Sequence, residues 1–277
     1  MNRTAHHPLL AGSLALCSGF VDVACLIRYG VFAALQTGNI VHIGIALGSE
    51  RDPELLLATL AYCFAVLASH FCAVVAFCAV AEGCSRPLLV AAPTLGLLTA
   101  SGGAIDGWTD GGCKWAACCV AASFGATNFS TSPNTVLEGR LFTMVSLATG
   151  NLQAMPARAC TSHPPHDRHH LRQPSCTGPP PQKSAKMLYK AARGHAFSEA
   201  DLLGAQVAAA VVGGTFVGAA LGGAAYAARP SDLPFMLIPA GLAQYVTLLW
   251  HDQILRPHAS KVANAGLVEP LRGSQGV

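Results

Sequence analysis

Residues 30–47, GVFAALQTGNIVHIGIAL, decide how this chain is read, because residues 140–155, RLFTMVSLATGNLQAM, repeat their key feature. Thr37-Gly38-Asn39 lies in the first apolar run and Thr149-Gly150-Asn151 in the second. Each tripeptide is preceded by another match. Gly19-Phe20-Val21-Asp22 comes before the first, and Gly125-Ala126-Thr127-Asn128 before the second. A single tripeptide recurs easily by chance. Two motifs in the same order, within the same kind of apolar run, do so far less often. The order predicts an internal duplication of a membrane module.

Composition agrees with a membrane setting. The 277 residues are 52% hydrophobic and 11% charged, with mean hydropathy +0.44. A soluble domain carries about 25% charged residues. The net charge of +3 comes without a basic run, so nothing points to nucleic acid. The eleven cysteines form no C-x-x-C pair and lie mostly in apolar segments, as small apolar side chains do. No H-E-x-x-H, G-x-S-x-G or P-loop pattern occurs, and no catalytic residue, metal site or cofactor is expected. After Arg3, LLAGSLALC resembles a signal peptide. The apolar run continues past Cys17 without an A-x-A-like site, which argues against that reading.

The expected fold is an all-α polytopic bundle of eight apolar segments, at 9–27, 31–47, 55–81, 87–105, 114–128, 141–155, 198–228 and 234–250. Asp52-Pro53-Glu54 reads as a helix start, with Asp52 at the N-cap and Pro53 at the first position. Ala61, Ala65, Ser69 and Ala73 give 55–81 a small-residue row, and Gly214, Gly218 and Gly222 give 198–228 a packing face for a neighbouring backbone. PLLVAAPTLGLL (87–98) and PFMLIPAGLAQY (234–245) each open with proline and carry a second one further on. Repeat one is therefore placed at 9–105 and repeat two at 114–251, with a hinge loop at 106–112 and a tail at 252–277. Asn39 to Leu55 spans 16 residues, whereas Asn151 to Leu202 spans 51. The excess is a Pro- and His-rich insertion near 156–186, expected to be disordered. Its His163, His166, His169 and His170 read as part of that insertion rather than as a metal site.

Arg158, Arg168, Arg172, Lys183, Lys186, Lys190 and Arg193 place the insertion on the cytoplasmic side. Eight spans would give parallel repeats. Six spans with two short, half-inserted segments would give inverted ones. Both arrangements put 13 of the 17 basic residues inside, so charge does not choose. The shortness of 141–155, against about 17–25 residues for a span, favours six.

Gly19–Asp22, the aromatic in GVFAALQTGN with its Thr-Gly-Asn, and later GATN and ATGNLQ resemble the YoaK family. That family comprises multi-pass membrane proteins of bacteria and fungi, classed as a domain of unknown function. The resemblance covers nearly the whole chain outside about 156–186. It departs at Phe142-Thr143-Met144, where a Thr-rich stretch is usual. It implies a fold and no reaction.

Asp22 is the sharpest single residue. A carboxylate near the bilayer centre costs about 2.5–3.5 kcal/mol, so it faces a cavity or a partner. It reads either as a proton or cation site, or as an interfacial residue bonded to Arg28 or a nearby amide. Thr-Gly-Asn suits a helix break whose freed backbone groups are satisfied by Thr and Asn. The expected pocket combines Asp22, Thr37, Gly38, Asn39, Asn128, Thr149, Gly150 and Asn151. The alternative use of the same residues is dry helix packing. His42 and His70 read as interhelical partners. Two functions remain open: a small-solute carrier with its site at the repeat interface, or a non-transporting scaffold or partner-binding module. Its surroundings are the lipid bilayer, with the plasma membrane as the default and the solute and oligomeric state left open.

Overall fold

The computed structural model describes residues 6–84, 87–109, 112–130 and 199–250. These residues form helices and turns, with no strand among them. The helices are α1 (His6–Tyr29), α2 (Gln36–Ser49), α3 (Pro53–Gly83), α4 (Pro87–Trp108), α5 (Ala116–Ser130), α6 (Glu199–Ala228) and α7 (Leu237–Trp250). Two short 3-10 turns, Pro230–Asp232 and Pro234–Met236, connect α6 to α7. Four segments, Pro8–Tyr29, Pro53–Ala81, Pro87–Trp108 and Ala205–Ala228, are long and apolar enough to cross a membrane. The protein is an integral membrane protein.

Local sequence sets the helix ends. Gly30, at φ +70°, adopts the left-handed conformation that closes α1, and its N–H bonds the Leu26 carbonyl at 3.0 Å. Asp52 caps α3, its Oδ1 accepting the Glu54 N–H at 3.0 Å, with Pro53 as the first helical residue. The stretch 106–112 is not a simple hinge loop, because α4 runs through Asp106 to Trp108.

The core fixes the directions of the six helices other than α2. One cluster gathers Leu10 and Leu14 from the start of α1 with Leu88 from the start of α4 and Val211 from the first half of α6. The same cluster contains Phe77 from the second half of α3, Phe129 from the end of α5 and Leu248 from the end of α7. The other cluster joins Val21 and Cys25 of α1 to Tyr62 of α3, Ala117 of α5 and Leu237 of α7. Hence α1, α4 and α6 run one way, and α3, α5 and α7 the other. Because α1 and α3 are antiparallel, the chain between them leaves and returns at one end of the bundle. The 14 residues of α2, about 21 Å of helix, do not cross it.

Glycine permits the closest helix contacts. A Cβ at Gly214 would meet the Gly12 carbonyl, and one at Gly218 the Leu16 carbonyl. A Cβ at Gly222 would lie 3.1 Å from the Phe20 carbonyl. These three positions seat α6 in parallel along α1. On α3 the buried stripe is Tyr62, Cys63, Val66, His70, Val74 and Phe77. The small-residue row is not its packing centre, since Ala61 is exposed and Ala65, Ser69 and Ala73 are only half-buried.

Candidate functional site

Residues 30–35 are the one place where non-helical backbone enters the bundle among the described residues between α1 and α3's cap. Val31, Ala33 and Ala34 in this segment are fully buried. In a membrane protein such backbone persists only where its polar groups find partners. Here side chains from three helices supply them. Asp22 of α1 accepts through Oδ1 the N–H groups of Ala34, at 2.7 Å, and Leu35, at 3.3 Å. Asn39 of α2 accepts the Phe32 N–H at 2.8 Å and donates to the Phe32 carbonyl at 2.7 Å. Gln36 donates to the Ala33 carbonyl at 2.7 Å and accepts from Asn39 Nδ2 at 2.8 Å. Asn128 of α5 donates to the Ala34 carbonyl at 3.3 Å.

Asp22, Asn39 and Asn128 are thus brought together on one segment. Asp22 is packed among protein atoms, yet part of its surface stays reachable by solvent. Thr37 and Gly38 stand in the first turn of α2, where a Cβ on Gly38 would collide with the Phe32 ring. The helix start expected at 31 falls instead at Gln36. The unwound residues precede Thr37-Gly38-Asn39 rather than coinciding with it. Thr149, Gly150 and Asn151 lie outside the described residues, as do the 156–186 insertion and the tail. Gly214, Gly218 and Gly222 lie along the α1–α6 contact.

Arg28 is not the partner of Asp22. Its Nε donates to Asp106 Oδ2 at 2.7 Å and its Nη2 to Oδ1 at 3.2 Å. The same carboxylate accepts from the Tyr29 hydroxyl at 3.2 Å and the Cys113 N–H at 2.6 Å. The cluster ties the end of α1 to the end of α4 and the approach to α5. Asp106 is 1% exposed and Arg28 38%. A carboxylate this buried requires the extra hydrogen bonds it receives, while the Arg28 side chain stays partly in contact with the surroundings.

Sequence reasoning passed over Ser18 and read His70 only as an interhelical partner. The His70 ring, 1% exposed, lies close to the backbone of Ala33 and Ala121, but neither ring nitrogen reaches hydrogen-bonding geometry. Ser18, one turn from Asp22 on the same face of α1, is equally buried, and its hydroxyl also makes no hydrogen bond. The spacing Cys63, Val66, His70, Val74 was the available signal for His70, since it sets the imidazole on the buried stripe of α3. Behind the site, Thr99 and Ser123 donate to Gln244 Oε1, at 2.8 and 3.1 Å, and Gln244 donates to Thr127 at 2.7 Å. That network ties α4, α5 and α7 together. A groove of about 430 Å³ between α1 and α7 is lined by Ser13, Leu16, Cys17, Leu242, Val246 and Thr247 and is separate from the polar site. No cluster of three or more His, Cys, Asp or Glu among the described residues is placed to hold a metal ion.

A family model described as "Protein of unknown function (DUF1275)" matches residues 10–249. The chain belongs to this family. The DUF1275 match takes in every helix that bears on the site, from Leu10 at the start of α1 to Leu249 near the end of α7. No curated protein and no solved structure matches the chain.

Proposed function

We propose that this DUF1275 protein is a small-solute carrier whose site lies where two inverted repeats meet. The observation that carries the reading is the buried segment 30–35, held by Asp22, Asn39 and Asn128 from both halves of the chain. Secondary transporters place their sites at discontinuous helices of this kind, between repeats.

Several features support the inverted duplication. Exchanging α1 with α5, α3 with α6 and α4 with α7 turns each principal helix pair into another. The α1–α6 pair becomes α5–α3, and α4–α7 maps onto itself. A Cβ at Gly19 would meet the Thr215 carbonyl of α6, and one at the matching Gly125 would meet the His70 carbonyl of α3. A Cβ at Gly96 would lie 2.9 Å from the Gly241 carbonyl, and one at Gly241 would lie 2.5 Å from the Gly96 carbonyl. Such reciprocity is what a two-fold relation requires. His70 and Thr215, Gly96 and Gly241, and Thr99 and Gln244 are all 145 residues apart. Exchanged helices run in opposite directions. The repeats on this reading are 9–105 and 114–251, with Thr149-Gly150-Asn151 completing the second. The finer likeness to the YoaK group rests on Gly19–Asp22 and Thr37–Asn39, and the plasma membrane is the compartment proposed.

A non-transporting scaffold is the second reading. Its support is that the Asn39 and Gln36 amides are already engaged by the unwound segment and by each other. Accessibility separates the two. In protein whose other accessible cysteines are replaced, Thr37→Cys is exposed to an impermeant thiol reagent from each side of sealed vesicles in turn. A carrier exposes the position to both sides. Protection from both sides assigns the cluster to packing.

A further inference from the structure

We propose that the cluster around residues 32–35 is a proton-binding site, with Asp22 as the acceptor and His70 as a second proton station. The inference rests on reading this cluster as a site, and it names the ion that would drive the carrier.

Charge balance is the first argument. Asp22 stands in a membrane-spanning helix, where an uncompensated carboxylate is costly. The nearest arginine along α1, Arg28, is committed to Asp106 by two bonds. Among the described residues, no lysine or arginine pairs with Asp22. Its charge therefore calls for a mobile cation.

The second argument concerns which cation. A metal ion in a broken helix is held by freed backbone carbonyls. Here the carbonyls of Phe32, Ala33 and Ala34 already accept amide protons from Asn39, Gln36 and Asn128. The groups turned toward the carboxylate are instead the N–H donors of Ala33, Ala34 and Leu35, which cannot ligate a metal ion. The Ala34 and Leu35 bonds both fall on Oδ1, which leaves Oδ2 as the oxygen proposed to take the proton. Protonation forms one O–H bond at Asp22 and leaves the backbone bonds to Oδ1 in place.

The third argument is the unused polarity beside it. The Ser18 hydroxyl is fully buried without a hydrogen bond, and the fully buried His70 ring has only the nearby backbone of Ala33 and Ala121 beside its nitrogens, short of good hydrogen-bond geometry. Buried groups of this kind need an explanation, and a proton relay supplies one. A neutral imidazole can accept a proton on one nitrogen and release one from the other, and the His70 ring lies against Ala33, inside the segment that Asp22 holds. The other titratable groups packed in one cluster with Val31, Ala33 and Ala34 are Cys17, Cys25 and Tyr29 of α1 and Tyr62 and Cys63 of α3, and the His42 ring of α2 is 5.9 Å from that of Phe32. Beyond Cys25 lies the Arg28–Asp106 pair. From α5 the segment receives Asn128, which does not titrate. The matching positions in the second half are Asn128 for Asp22 and Thr215 for His70. Both titratable members thus belong to the first half.

The test uses a hydrophobic carbodiimide, which modifies carboxyl groups only when they are protonated. Purified full-length protein in lipid nanodiscs is treated across a pH series, and modified peptides are mapped by mass spectrometry. Modification of Asp22 is expected, falling about tenfold per pH unit on the alkaline side and indifferent to excess Na⁺ or K⁺. His70→Gln is expected to move the midpoint of that curve. Protection by Na⁺ or K⁺ would make this a metal-cation site and overturn the proposal, and so would an Asp22 left unmodified at every pH. An unmoved midpoint in both His70→Gln and His70→Asn would remove His70 from it. The readout needs no variant at Asp22 and no transport. Proton-dependent labelling together with a Thr37→Cys protected from both sides would sink the carrier reading and keep the proton site.

Discussion

Asp22 and Asn128 hold opposite ends of the same residue. Asp22 Oδ1 takes the Ala34 N–H at 2.7 Å, and Asn128 Nδ2 gives to the Ala34 carbonyl at 3.3 Å. The two side chains come from helices in different halves of the sequence, and they occupy matching places in the Gly-x-x-Asp and Gly-x-x-Asn motifs. Fixing one residue from both sides makes the unwound segment a shared element of the two halves.

Their energies are expected to be coupled. Asp22→Ala strands two N–H groups at about 1–3 kcal/mol each, and Asn128→Ala strands one carbonyl. Because both act on Ala34, the double variant should lose less stability than the separate losses add to, with a coupling of at least about 0.5 kcal/mol. Thermal unfolding of the four proteins in detergent measures this. Additive losses would mean that Ala34 is not a common support.

The glycine crossings are expected to respond as a matched pair. Gly19→Ala and Gly125→Ala each drive a methyl into a backbone carbonyl, at Thr215 and His70, and should each cost about 1–3 kcal/mol. Gly44→Ala and Gly213→Ala meet nothing within 4 Å and should be neutral or gain up to about 1 kcal/mol from helix propensity. Midpoints of heat denaturation would rank the four. A harmless Gly125→Ala would contradict the close α3–α5 approach.

Breaking the Arg28–Asp106 pair from one side should be costly. Arg28→Met leaves a carboxylate only 1% exposed without its cation, and because Arg28 itself is 38% exposed the loss should fall below the ~3–5 kcal/mol of a fully buried pair. Adding Asp106→Asn should recover part of that loss, since the neutral amide no longer needs a counter-charge. Chemical denaturation of the single and double variants decides the matter. A double variant weaker than Arg28→Met alone would show that Asp106 acts mainly through Tyr29 and Cys113.

Orientation in the membrane gives a further expectation. The end of α2 and the start of α3 lie at the end of the bundle opposite the start of α1. A cysteine placed at Ser49 should react with an impermeant thiol reagent added from the side opposite the N-terminus, in intact cells. Reaction only after permeabilisation would require α2 to cross.

The apolar runs and the Asp52-Pro53 cap could be read from local sequence. The position of the break could not. Val31-Phe32-Ala33-Ala34-Leu35 is as apolar as any helix in the chain. Only partners at Asp22, Asn39 and Asn128, the last 94 residues from Ala34, make its open backbone tolerable. Arg28 met the same difficulty, since its partner is 78 residues away. His70 was read as an interhelical partner, although its spacing from Cys63, Val66 and Val74 already set it on the buried stripe of α3. Its meaning comes from facing Ala33 across a helix contact.

The partner of the Ala34 carbonyl is made late. Asn128 follows Ala34 by 94 residues, which at about 5–20 residues per second is roughly 5–20 seconds of synthesis. For that interval the segment has Asp22, Gln36 and Asn39 but nothing from α5. The first half of the chain must therefore sit in the membrane with its unwound stretch half-secured, and α5 finishes both its own helix contacts and those of a loop laid down long before it.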